Sequence, residues 1–267
     1  PHGQTLGEGQ TQPAGGHHAE VMAIRDAIRK GFSLAGATAF VTLEPCSHHG
    51  RTGPCCEALI LAGIRKVIAT NLDPNPLVAG QGFARLRAAG VEVEVLSADD
   101  SQSLKSRELN IGFFSRMIRK TPWVRMKIAA SLDGKTALEN GSSQWITSPA
   151  ARADGHAWRA RSCAVLTGMG TVLQDDPRLD VRLVQTTRQP KVVVIDSDLQ
   201  TPVDAAIFMP GREVLIYTAT RSEARKSALE ESGATVLFAP GTRADDTSTG
   251  KVDLAAMLLD LGRREIN

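Results

Sequence analysis

Apolar residues along this chain switch repeatedly between two spacings. Over Ala19–Lys30, Val21, Ile24 and Ile28 recur at three and four residues, the spacing that lines one face of a helix. Ala37–Leu43 is a short run of apolar and β-branched residues and reads as a strand. Pro54–Ala62 reads as a helix closed by Gly63, Arg65–Thr70 as a strand, Gly82–Ala89 as a helix closed by Gly90, and Val91–Leu96 as an alternating strand. Strands alternating with helices predict βαβ units and a layered α/β domain. Leu104–Lys120 carries Leu109, Phe113 and Ile118 near helical spacing, and Thr121-Pro122 breaks it. Beyond the break, Trp123–Ala130 predicts a strand that opens a second unit. Residues 150–162 then predict a helix, and 163–167, Lys191–Asp196 and Val214–Thr218 predict strands. Asp245–Gly250 reads as a polar loop and Leu254–Gly262 as a final helix. The second half is thus also α/β, with a boundary near residue 120 and no internal repeat between the halves.

Composition narrows the class. The chain has 267 residues, of which 42% are hydrophobic and 22% charged, which is ordinary for a globular protein of two domains. A formal net charge of +2, with basic residues scattered among acids, does not point to a nucleic-acid partner. No apolar run is long enough to span a bilayer and none reads as a signal peptide, so neither a membrane nor export is expected. Three of the four cysteines, Cys46, Cys55 and Cys56, crowd one segment beside histidines. That grouping favours a metal site in a reducing cytoplasm over a disulfide framework. The chain starts at Pro1, and Thr5–Gly9 reads as the second half of a hairpin, so the expectation is a fragment of a longer protein.

The chemistry lies in two segments. His18-Ala-Glu20 falls at the start of the first predicted helix. Cys46 and Cys55 flank a loop rich in Gly and His, with Cys55 after Pro54 at a predicted helix start, where a helix N-terminus lowers a thiol's pKa. One imidazole, two thiolates and a nearby carboxylate make the donor set of a catalytic zinc, which needs three protein ligands, an open position for water and a base beside it. His-x-Glu followed by Pro-Cys and a further Cys is the pattern of zinc-dependent base deaminases. That pattern has two residues between the cysteines, whereas eight separate Cys46 from Cys55 here. Cys56 competes with Cys55 as a ligand, because adjacent helical residues point about 100° apart and both cannot reach one metal. Singly, these residues would read as a solvated histidine and small buried hydrophobes.

The long cysteine spacing carries a resemblance. Glu44-Pro-Cys-Ser-His-His-Gly-Arg-Thr-Gly-Pro-Cys-Cys56, followed by Asp73-Pro-Asn-Pro-Leu-Val-Ala-Gly80, closely resembles the bifunctional riboflavin-biosynthesis deaminase/reductase family. The likeness continues through Lys127-Ile-Ala-Ala-Ser-Leu-Asp-Gly-Lys-Thr-Ala137, Ser143-Gln-Trp-Ile-Thr147 and Gly170-Thr-Val-Leu-Gln-Asp-Asp-Pro177, and so covers both halves. It implies a three-layer cytidine-deaminase-like domain over 1–120, followed by a dihydrofolate-reductase-like α/β domain over 121–267, both truncated at their outer ends. It implies a hydrolase acting on a cyclic amidine and an NADPH-dependent oxidoreductase, with a phosphorylated pyrimidine as the small-molecule substrate. A homo-oligomer is left open.

By the resemblance, His18, Cys46 and Cys55 hold Zn2+ and Glu20 shuttles protons. His48 and Arg51, on the loop between ligands, are candidate substrate contacts, with Arg51 suited to a phosphate; a hydrogen-bonded loop histidine and a solvent-facing arginine are the plainer alternatives. His17 and His49 read as bystanders. In the second half no Gly-x-Gly-x-x-Gly follows a strand, so a Rossmann site is not supported, and Gly168-Met-Gly-Thr171 is a weak signal by itself. There the resemblance implies NADPH contacts at Ala129, Trp145, Thr171, Asp175 and Ser197, and substrate contacts at Ser143, Arg159, Leu179 and Arg182, the two arginines fitting a 5′-phosphate by charge. Lys127 and Asp133 would help shape that site. The plainer readings are a core Trp145, a turn-forming Asp133 and a surface Arg159. The family continues past a helix like 254–262 into a strand and a glycine-rich cofactor loop, so these 267 residues alone are expected to show little NADPH turnover.

Two other readings compete. A zinc deaminase of a free nucleoside or tRNA base, with an inactive second domain, would carry the short Cys-x-x-Cys spacing and, for RNA, a basic patch; neither is seen. A structural zinc module of a binding protein would close the site with four protein ligands, Cys56 or His49 supplying the fourth.

Overall fold

A computed structural model of the chain describes residues 3–50, 52–76, 78–242 and 248–267. It divides into two compact units, Pro1–Arg119 and Lys120–Asn267.

In the first unit, β1 (Thr38–Val41), β2 (Lys66–Ala69) and β3 (Glu92–Val95) form a parallel sheet in the order β1-β2-β3. The helices between them, α2 (Cys55–Leu61) and α3 (Gln81–Ala88), are short, as tight βαβ connections require. Their inward faces meet the sheet in a core of Cys56, Leu59, Val67, Ala69, Phe83 and Leu86. α1 (Ala19–Arg29) precedes the sheet and contributes Ile24 to the edge of that core. Residues 3–12 form no strand, contrary to the expected half-hairpin. They run along α1 instead, tied by the Glu8 N–H to Asp26 at 3.0 Å. Two glycines allow this approach: a Cβ on Gly9 would meet Ala19 O and Ala23 N at 2.3 Å, and one on Gly7 would meet Ala23 O at 2.4 Å.

The helix expected over 104–120 is two helices, α4 (Ser101–Leu109) and α5 (Ile111–Arg119). At the break, Ser106 O accepts both the Asn110 backbone N–H at 3.1 Å and the Asn110 side-chain amide at 3.0 Å.

The second unit has a four-stranded parallel sheet in the order β4-β5-β6-β7: β4 (Ala164–Gly168), β5 (Lys191–Ile195), β6 (Val214–Thr218) and β7 (Ala234–Phe238). Central strands covered on both faces should be apolar throughout; Val192, Val193 and Val194 in β5 and Val214–Tyr217 in β6 are fully buried. α6 (Pro149–Arg161) starts with proline at its first position, capped by Ser148, whose Oγ accepts the Ala151 N–H at 3.2 Å. α7 (Met169–Asp175) follows β4, and α8 (Glu223–Glu231) connects β6 to β7.

Two expectations fail here. Trp123–Ala130 is not a strand: among the described residues no strand pairs with it, and Met126 and Ile128 stand exposed. The apolar spacing satisfied one requirement of a strand, but the backbone groups have no neighbouring ladder. The polar stretch 245–250 is not wholly a loop either. Its last residues belong to β9 (Ser248–Val252), antiparallel to β8 (Pro240–Thr242), while 245–247 lie outside the described residues. α9 (Leu254–Arg263) closes the unit, capped by Asp253, and buries Met257 and Leu261 against Val193, Leu215 and Tyr217. No helix among the described residues is long and apolar enough to cross a membrane.

Candidate active sites of the two units

His18 is the N-cap of α1 and Glu20 sits in its first turn, while Cys55 opens α2 and Cys46 lies on the loop after β1. The parallel sheet brings both helix starts to its carboxyl end, where ligand sites in such sheets form. His18 Nδ1 lies 3.5 Å from Cys46 Sγ and 3.3 Å from Cys55 Sγ, and one donor atom from each of the three residues falls within 4.8 Å of the others. A tetrahedral zinc, with bonds of about 2.3 Å to sulfur and about 2.0 Å to nitrogen, sets such ligands roughly 3.5 Å apart. The donor set therefore fits a zinc ion in both chemistry and spacing. A cleft of about 250 Å³, lined by His18, Cys46, His48 and Thr52 and by the 14–16 turn, opens onto this triangle.

Electrostatics separate the two thiols. The Cys46 thiol is brought down to about 5, first by the hydrogen bond from the Cys55 side chain, then, against burial, by the Cys55 N–H and by His18. The Cys55 thiol is pushed up, because it donates toward Cys46, is buried and faces the Glu20 carboxylate. This corrects the expectation that the helix start would favour a thiolate at Cys55 itself. The first N–H of α2 points 3.3 Å away at Cys46 Sγ, so the benefit of the helix end goes to the neighbour. Glu20 has its carboxyl raised, chiefly by burial, and lies within hydrogen-bond reach of Cys55.

Cys56 is removed from competition. Its thiol is fully buried and donates to Pro45 O at 3.1 Å, with burial pushing it up to about 12. His49 stands on the surface 3.9 Å from Glu57, away from the triangle. Among the described residues the cluster therefore has three protein donors, as a catalytic zinc site does, and not the four of a closed structural site. Arg51 lies outside the described residues.

In the second unit, Arg159 and Arg182 come together at Asp180, while Leu179 is buried in the core with Val172 and Val192. Arg159, in the last turn of α6, donates to Asp180 O at 3.2 Å, and Arg182 donates to the Asp180 carboxylate at 2.6 Å. Arg178 takes the other carboxylate oxygen at 3.2 Å. Burial would raise the Asp180 carboxyl, but Arg182 and Arg178 hold it below its ordinary range. The Arg182 N–H donates to His156 Nδ1 at 3.2 Å, and burial together with Arg159 and Arg182 lowers the histidine's pKa. Sequence reasoning missed Asp180 and His156. The only signal was a carboxylate set between two arginines in Arg178-Leu-Asp-Val-Arg182.

Thr171, in the first turn of α7, and Ser197, just past β5, lie at the carboxyl ends of neighbouring parallel strands, the position where such sheets take ligands. Ser197 Oγ accepts the Val252 N–H at 3.3 Å. Asp175 ends α7 and is exposed. Lys127, Ala129, Asp133, Ser143 and Trp145 all lie on segment 121–148, which forms neither helix nor strand. Asp133 accepts from Ser131 within a turn, and Trp145 is exposed and stacked by Arg152 at 4.2 Å, so it is not a core residue.

A three-donor metal site beside a carboxylate, followed by a second parallel α/β unit with an arginine cluster, defines a zinc-type deaminase joined to a further enzyme domain. Residues 2–71 match the cytidine and deoxycytidylate deaminase zinc-binding region, and residues 122–267 match the RibD C-terminal domain. The riboflavin biosynthesis protein RibD of Escherichia coli K12 is 43% identical over 99% of this chain and 71% of its own length. That of Aquifex aeolicus is 41% identical over 90% of the chain and 65% of its own length. Among solved structures, Acinetobacter baumannii RibD (form 1) matches with a TM-score of 0.81 at 40% identity, covering 98% of this chain and 68% of that one. A deaminase/reductase of Thermotoga maritima matches with a TM-score of 0.81 at 34% identity, covering 100% and 70%. The chain belongs to the RibD family, whose members join a zinc-binding deaminase domain to an NADPH-using reductase domain in riboflavin biosynthesis. It spans between 57% and 71% of the length of the first five relatives it matches.

Proposed function

We propose that the first unit hydrolytically deaminates 2,5-diamino-6-ribosylamino-4(3H)-pyrimidinone 5′-phosphate, and that the second contributes to NADPH-dependent reduction of the ribosyl group to ribityl. The observation that carries the deaminase reading is the triangle of His18, Cys46 and Cys55, open to a cleft with Glu20 beside it. Zinc, when bound, acidifies a water molecule so that it ionises near neutral pH. Glu20 takes one proton of the attacking water and passes it to the ring nitrogen, then takes the proton of the hydroxyl left on the ring carbon and delivers it to the departing amine. The water oxygen becomes bonded to the ring carbon, the C–N bond breaks and ammonia leaves. His48, which lines the cleft, is the proposed substrate contact, and Arg51 the proposed phosphate contact on the same loop.

In the second unit Arg159 and Arg182, fixed by Asp180, supply positive charge for a 5′-phosphate, with Leu179 and Ser143 as further substrate contacts. Thr171 and Ser197 would line the NADPH site at the strand ends, with Ala129, Trp145 and Asp175 as its other contacts and Lys127 and Asp133 shaping it. NADPH supplies the hydride. The deciding experiment measures zinc content and ammonia release for wild type and Glu20→Ala. A catalytic site keeps its zinc and loses turnover, whereas normal deamination by Glu20→Ala would show the mechanism wrong.

A further inference from the structure

Behind the metal triangle lies a buried knot that the chemistry above does not use. Glu44 is 4% exposed, and its carboxylate accepts four backbone N–H groups. Oε2 takes those of Asp73 at 3.2 Å and Gly80 at 2.9 Å, and Oε1 those of Gly82 at 2.8 Å and Phe83 at 3.3 Å. Four converging donors suit an acceptor-only group. The next residue, Pro45, lays its carbonyl on Gly82 so closely that a Cβ there would sit 2.0 Å away. The same carbonyl accepts the Cys56 thiol at 3.1 Å, and the Cys56 N–H donates to Cys46 O at 3.1 Å. The two peptide units that lead into and out of the Cys46 side chain are thus held from both sides, by the start of α3 through Glu44 and Gly82 and by the start of α2 through Cys56.

We propose that Glu44 is a positioning residue of the metal site. Its carboxylate clamps the start of α3 to the loop after β1, and through Pro45 it fixes the direction in which Cys46 presents its sulfur. Cys56, excluded as a ligand, completes the clamp from the other side. The inference rests on the reading of His18, Cys46 and Cys55 as zinc ligands. It explains why a carboxylate is buried beside a thiolate it never touches: residues that orient ligands matter to a metal nearly as much as the ligands do.

The test is competition for zinc between the full chain and a chromophoric chelator, with cobalt substitution as a second readout. Glu44→Gln keeps the shape but turns an N–H2 toward two of the four donors, because each carboxylate oxygen takes two of them. The expected result is a zinc affinity weakened on the order of 10–100-fold and a shifted cobalt d–d spectrum. Ile64→Ala is the control, since Ile64 enters the same unit's core just before β2, at the amino end of the sheet and opposite the knot; it is expected to lose stability and keep wild-type zinc affinity. Cys56→Ala is the gentler variant, which decides the matter if Glu44→Gln does not fold; it is expected to lose affinity in the same direction by a smaller factor. The proposal is overturned if the folded Glu44→Gln, or failing that Cys56→Ala, binds zinc no more weakly than Ile64→Ala with an unchanged cobalt spectrum. Absence of zinc binding by the wild-type chain would instead overturn the ligand assignment itself.

Discussion

Replacing Gly9 with alanine should disturb the deaminase site without touching any residue in it. Gly9 has no positive φ, so alanine meets no backbone strain and the whole effect is steric. The added Cβ would lie 2.3 Å from Ala19 O, 2.3 Å from Ala23 N and 2.8 Å from Met22 C. All three are backbone atoms of the first turns of α1 and cannot turn aside as a side chain would. Relieving the overlap needs a shift of about 1 Å between segment 3–12 and the helix, given ordinary contact distances. Overpacking of this kind costs about 1–3 kcal/mol, which for a unit this size lowers the melting temperature by roughly 4 °C per kcal/mol. Ala19 stands between His18 and Glu20, so the same shift moves both. A misplacement of about 1 Å costs turnover on the order of 100-fold. Gly7→Ala is the internal comparison: its Cβ would strike Ala23 O at 2.4 Å and Ala27 N at 2.7 Å, one turn further along. It should cost similar stability and less turnover. The assays are thermal melting by circular dichroism and ammonia release at saturating zinc. A Gly9→Ala protein that melts and turns over like wild type would refute the reasoning, as would equal turnover losses in the two variants at equal stability.

Further outcomes concern the second unit. Gly155→Ala lies inside α6 with nothing within 4 Å of the new Cβ, and should raise unfolding stability by about 0.5–1 kcal/mol in urea titration. Tyr217→Phe removes the buried hydroxyl that donates to Asp260 at 2.7 Å and should cost about 1–2 kcal/mol, because Asp260 keeps Arg264 as a partner; an unchanged urea midpoint would show that the bond contributes nothing. His156 stays neutral in the folded chain below the pH at which the unfolded chain takes up a proton. Its contribution is therefore complete above its ordinary pKa and is lost as pH falls through the lowered folded value. Melting temperatures between about pH 8 and pH 5 should fall more steeply for wild type than for His156→Asn, and parallel slopes would count against this.

The candidate metal cluster was legible in the sequence because its signal is local. His18 and Glu20 share a helix turn, and each cysteine sits beside a proline in one short segment, so residue type and spacing alone described a zinc donor set. Core strands were equally legible wherever both faces are buried: Lys191–Asp196 needs no partner information to read as a central strand. Reading failed where the outcome depends on a neighbour. Trp123–Ala130 has the apolar content of a strand, but a strand exists only if another backbone meets its N–H and C=O groups. Thr5–Gly9 looked like half a hairpin, and α1 took that place because two glycines permit the approach.

The same division runs through the sites. The sequence by itself determined which groups could hold a metal and that the long cysteine spacing belonged to a riboflavin-pathway family. It could not choose between Cys55 and Cys56, since both stand at one helix start. In the folded chain the Cys56 thiol turns onto the Pro45 carbonyl, whereas Cys55 joins His18 and Cys46, which favours Cys55 as the ligand. Tertiary structure also made Glu44, Asp180 and His156 into supports, through backbone and guanidinium groups that are distant or unremarkable in the chain. Residue chemistry is written locally, whereas the direction of a hydrogen bond and the charge a group meets are set only when separate segments are packed against one another.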